Sequence, residues 1–110
     1  MSYVIKKTTI TLTRGDTLKA QITLTDAEGN PYEPAPGDVI RFAAKKNYSD
    51  NSILINKKVP TDTMILTLNP SDTKNLSYGD YVYDIQLTRS SGEVDTFITK
   101  GTLVLTEEVD

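Results

Sequence analysis

The chain has no cysteine, no histidine and no tryptophan. Without cysteine there is neither a disulfide framework nor a thiolate metal site. Without histidine there is no imidazole ligand, and no side chain whose ordinary pKa lies near neutrality. A nucleophile paired with a histidine or cysteine, the usual arrangement for covalent catalysis, is therefore excluded. Phenylalanine and methionine are scarce, at two residues each. No long apolar run occurs either. The opening stretch MSYVIKKTTITLTR holds nothing long enough for a signal peptide or a membrane span. A protein without a cleaved leader and without a membrane partner is expected. The formal charge of −3 weighs against nucleic-acid binding.

What remains is rich in β-branched residues, with 16 threonines among 110 residues, a composition that suits pleated, half-buried surfaces. That length is expected to form a single domain, 1–110. Apolar residues recur with a period of two, and helical periodicity is almost missing. Strands are predicted over 8–13, 17–25, 38–45, 52–58, 64–69, 80–89 and 93–106. Turn formers separate them: RGD at 14–16, DAEGNPYEPAPGD at 26–38 and SSG at 90–92. One helical turn is expected at 70–75, with Asn69 as its cap, Pro70 at the first position and Asp72 near its positive end. Gly101 is expected to mark a bulge or kink, since alternation shifts there. Seven to eight short strands with these spacings point to an all-β, antiparallel β-sandwich without a disulfide.

The stretch LSYGDYVYDIQL (76–87) holds three tyrosines within six residues. On a strand, Tyr81, Tyr83, Ile85 and Leu87 share one face, and Val82, Asp84, Gln86 and Thr88 share the other. The second set is mostly polar, so the tyrosine face is expected to be the core face, not a platform for stacking sugars or bases. Immunoglobulin-like sandwiches carry a tyrosine corner at the start of such a strand, two residues before a cysteine. The run SYGDYVY (77–83) resembles that signature. Gly79 and Tyr81 match it, Ser77 stands where the pattern has Asp, and Tyr83 stands where it has Cys. The resemblance implies an immunoglobulin-like sandwich in which Gly79, Tyr81 and Tyr83 are structural. Tyr78 precedes the strand and is a candidate for exposure.

A wider resemblance rests on order and spacing. It runs through ITLTRGDTLKAQITLTDAEGNPY, PGDVIRFAAKK, ILTLNPSDTKNLSYGDYVYDIQLT and SGEVDTFITKGTLVL. In this order the chain is similar to small structural proteins of phages and prophages, in particular to the immunoglobulin-like N-terminal domain of phage upper-baseplate proteins. The resemblance implies a non-catalytic attachment or accessory module without a cofactor. Its partners would be other phage structural proteins, and its location the virion, or the host cytoplasm during assembly. A homo-oligomer is a further expectation, because such parts often form symmetric rings. Two alternatives stay open: a bacterial immunoglobulin-like adhesin module and a carbohydrate-binding surface module.

The residues singled out for an interface are Tyr78, Tyr48, Lys45, Lys46, Lys57 and Lys58. The four lysines flank one connection and one strand, and pairing would bring them together. They would then either guard a sheet edge against unwanted pairing or form a surface for an acidic partner. The strands at 8–13 and 52–58 are the candidate edges, where a partner strand could add. Asp26, Glu28 and Asn30 alternate as oxygen donors but fall short of a calcium loop. The RGD tripeptide reads as a turn. Glu107 and Glu108 are paired acids in a terminal tail and suggest no catalysis.

Overall fold

The computed structural model describes residues 3–6, 9–23, 30 and 32–107, with backbone alone for 3–6 and 97–100. Along this chain run β1 (Tyr3–Lys6), β2 (Thr9–Thr13), β3 (Leu18–Gln21), β4 (Val39–Lys45), β5 (Ile55–Val59) and β6 (Ile65–Leu68). The helical turn α1 (Pro70–Thr73) follows, then β7 (Gly79–Thr88) and β8 (Val94–Thr106). The fold is all-β. Six strands form a mixed sheet in the order β1-β2-β8-β7-β4-β5, and β3 pairs with β6 in a second, two-stranded sheet.

Alternation in sequence becomes alternation in burial. On β7, Tyr81, Tyr83, Ile85 and Leu87 are buried while Val82, Asp84 and Gln86 are half-buried. On β4, Ile40, Phe42 and Ala44 face inward. The small sheet contributes Leu18, Ala20, Leu66 and Leu68 to the same apolar cluster, which Ile10, Leu12, Leu103 and Leu105 complete on the far strands of the large sheet. One face of each sheet is thus dry. Each fully buried large side chain there contributes about 1.5–3 kcal/mol by leaving water.

Two glycines are fixed by their surroundings. Gly79 has φ 126°, a conformation that side chains with a Cβ rarely adopt. Gly101 stands opposite Tyr83 in the β7–β8 register. A Cβ there would lie 2.3 Å from Cζ of Tyr83, so the glycine makes room for the ring. The β7–β8 ladder shifts register just beyond this pair, between Tyr83 and Ile85 and again between Ile85 and Gln86. The irregularity expected at Gly101 is therefore beside it, on β8.

Several sequence expectations need correction. The strands are not purely antiparallel, because β2 lies parallel to β8 from Thr9↔Thr102 to Thr13↔Thr106. Alternation dictates which face is buried but is silent on strand direction. The strand at 8–13 is not an edge, since β1 covers its other side in an antiparallel hairpin from Lys6↔Thr9 to Tyr3↔Leu12. β1 itself was not foreseen, because YVIK is too short to show a period. The strand expected at 52–58 starts at Ile55 and runs to Val59. That expected at 17–25 is strand over Leu18–Gln21, and residues 24 and 25 lie outside the described residues.

Candidate interaction surface

Register places several strand ends together. Lys45, at the end of β4, is opposite Val82 near the start of β7. Gly79 is opposite Leu105, and Thr13 is opposite Thr106. The start of β7 and the ends of β2, β4 and β8 thus share one end of the large sheet.

Tyr78 stands at this end, 40% exposed. The Arg14 guanidinium lies 4.3 Å from its ring centroid, and Arg14 also donates to the Leu76 carbonyl at 3.1 Å. The Arg14 backbone N–H bonds Thr106 O at 3.1 Å, and the Gly15 N–H bonds the hydroxyl of buried Thr73 at 2.9 Å. The RGD turn is therefore built into the fold, as its turn reading implied. Tyr48 lies in the β4–β5 connection and is 55% exposed. Ile53 and Leu54 close that connection at 49% and 41% exposure, and the Leu54 N–H bonds Ala44 O at 2.8 Å. Only Val94, at the opposite end, joins these four among the described large hydrophobics left exposed. Sequence reasoning missed Ile53 and Leu54. The available signal was the run ILI (53–55), in which a two-residue period cannot bury all three side chains.

The other two tyrosines are core, as expected. Tyr81 is 2% exposed and donates its hydroxyl to Ser77 O, four residues back, at 2.6 Å. Tyr83 packs on Phe42 with ring centroids 4.9 Å apart, and burial pushes its phenol up to about 12. No three-ring platform exists.

The four lysines are not one cluster. Lys45 lies half-buried on the outer face of β4 and pulls against the burial that raises the Asp84 carboxyl. Lys46 donates to Asp80 O at 3.0 Å and sits 4.6 Å from the Tyr81 ring centroid. Lys57 points inward with Ile55 and Val59 and pairs with Asp72 of α1 at 3.1 Å. Lys58 is exposed on the outer face, opposite Arg41.

A cleft of about 60 Å³ opens between Tyr48, Lys45, Val82 and Asp84, far below the roughly 300–1,000 Å³ of small-molecule pockets. A wider hollow of about 370 Å³ lies among Ile22, Tyr32, Pro34, Thr61 and Met64. Its two carboxylates, Glu33 and Asp62, are exposed, and Thr23 and Thr61 share its lining. At the far end from Tyr78, Tyr32 donates to Asp38 at 2.8 Å and accepts from Arg89 at 2.9 Å. Arg89 also grips Asp95 at 2.7 Å. This network ties the loop before β4 to the β7–β8 hairpin.

Among the described residues, no group of three or more acidic side chains is placed to hold a metal ion. Asp26 and Glu28 lie outside the described residues, as does Glu108. No described helix is long and apolar enough to cross a membrane. Comparison with family models, with curated proteins and with solved structures finds no match.

Proposed function

We propose that this chain is a non-catalytic attachment module, an immunoglobulin-like β-sandwich that joins other structural proteins in the tail or baseplate of a phage or prophage particle. The observation that carries the attachment reading is the gathering of Tyr48, Ile53, Leu54 and Tyr78, all exposed, around one end of the large sheet. Exposed apolar side chains gathered in this way mark interaction sites, and tyrosine is enriched there.

The immunoglobulin-like reading draws support from two features. The Tyr81–Ser77 hydrogen bond has the form of a tyrosine corner, whose hydroxyl returns to the backbone a few residues upstream. The order β8-β7-β4-β5 facing β3-β6 follows the G-F-C-C′ and B-E arrangement of a variable-type sandwich. Tyr83 against Phe42 then fills the place where that fold has a disulfide and a tryptophan. The phage assignment rests on the order of the sequence motifs.

The test is mass spectrometry of purified particles from an induced lysogen carrying the gene. The chain should be found with the tail proteins. Tyr48→Ala and Tyr78→Ala should leave the melting temperature unchanged yet reduce incorporation. Absence of the chain while proteins of similar abundance are detected defeats the phage assignment. Normal incorporation of both variants defeats the role given to this surface.

A further inference from the structure

β5 is the last strand of the large sheet. Its outer side hydrogen-bonds to no strand among the described residues, so backbone N–H and C=O groups along it lack a ladder partner, and β6 lies close by without pairing. The side chains along that edge are unevenly neutralised. Lys57 has a carboxylate, Asp72, at 3.1 Å. Lys58 does not: among the described residues it forms no ion pair. Directly opposite Lys58 stands Arg41, also exposed. Like charges facing each other across a strand pair repel. The Asn56 side-chain Oδ1 accepts from the Arg41 guanidinium at 3.0 Å, which turns this charge toward β5 without neutralising it. The chain has 15 acidic against 12 basic residues, and still leaves these two cations side by side. Leu54, exposed just before the start of β5, adds an apolar group beside this edge.

We infer that the free edge of β5 receives an extended, acidic peptide segment of a partner protein, with a carboxylate against Arg41 and Lys58. The inference rests on the attachment reading and supplies the chemistry of the partner. Main-chain pairing gives the affinity, and alternate side chains give the choice of segment. The segment therefore carries its acids on one face of the strand. A carboxylate brought to this pair would convert a repulsive contact into two attractive ones, which favours acidic over neutral or basic strands.

The experiment uses the whole chain and a short fluorescent peptide alternating Val and Glu, with Gln and Lys versions as controls. The Glu peptide should bind, more weakly as salt rises. Its affinity should fall at least about tenfold in Lys58→Glu or Arg41→Glu, while circular dichroism shows both variants folded. Amide exchange should slow on β5 when the peptide is bound. Equal binding of the Glu and Gln peptides overturns the inference, as does unaltered affinity in both charge variants. So does self-association of Lys58→Ala without any peptide binding, which would make Lys58 an edge guard only. Failure of the peptide while Tyr78→Ala still blocks incorporation into particles removes this inference and leaves the attachment reading in place.

Discussion

Tyr81 combines two demands that usually fall on different residues. Its ring fills the core at 2% exposure, and its hydroxyl bonds Ser77 O at 2.6 Å. Removing the hydroxyl leaves the ring and strands the carbonyl of the corner. Tyr81→Phe should therefore cost about 1 kcal/mol. Urea denaturation should show this as a lower midpoint with an unchanged slope. This role was legible beforehand, because Gly79-x-Tyr81 opens an alternating run and both its spacing and its direction are local properties. The lysines were less legible. Lys57 and Lys58 are neighbours in sequence, yet one turns to Asp72 and the other to solvent. The two-residue period separates them, but the partner of each comes from a distant part of the chain.

At the scale of elements, the four-residue turn α1 acts as a clamp. Lys57 of β5 reaches Asp72, and the turn after β2 donates Gly15 N–H to Thr73. Asp72 also accepts the Asn69 N–H at 2.7 Å, which secures the start of the turn. Thr73 is fully buried, so its hydroxyl stands in for water at a backbone donor. Thr73→Val keeps the shape and removes that acceptor. A loss of about 1–3 kcal/mol is expected, with faster amide exchange at Gly15, and Thr73→Ser should restore most of it. The turn was readable from Asn69, Pro70 and Asp72. Its contact with the RGD turn was not, because the two segments are 58 residues apart and nothing local in either names the other. Strands β4 and β7 were likewise legible from their periods. β1 was not, being four residues without a clear alternation.

On the whole molecule, two aspartates respond to acid in opposite senses. The Asp38 carboxyl is held below its ordinary range, first by the Ala35 N–H and then by the Tyr32 hydroxyl. Its contribution is present above the unfolded pKa, near ~3.9, and is lost as pH falls through the folded value. The Asp84 carboxyl is raised by burial, against the pull of Lys45. Its contribution is full below the unfolded pKa and is lost as pH rises through the folded one. Asp84→Asn should therefore raise the melting temperature at neutral pH, and Asp38→Asn should lower it. Both differences should shrink in strong acid, as melting curves from neutral pH downward will show. Such pairs are invisible in composition, since both residues are simply acids until the fold surrounds them. Strand direction is hidden in the same way, and the parallel pairing of β2 with β8 has a mechanical consequence. Thr9 lies beside Thr102 and Thr13 beside Thr106, so tension applied before β2 and after β8 pulls the two strands lengthwise past each other. The bonds of that ladder are then loaded together. The antiparallel β1–β2 hairpin, by contrast, opens one bond at a time. A body held at both flanks would give way early at β1 and then resist as a unit at β2 and β8.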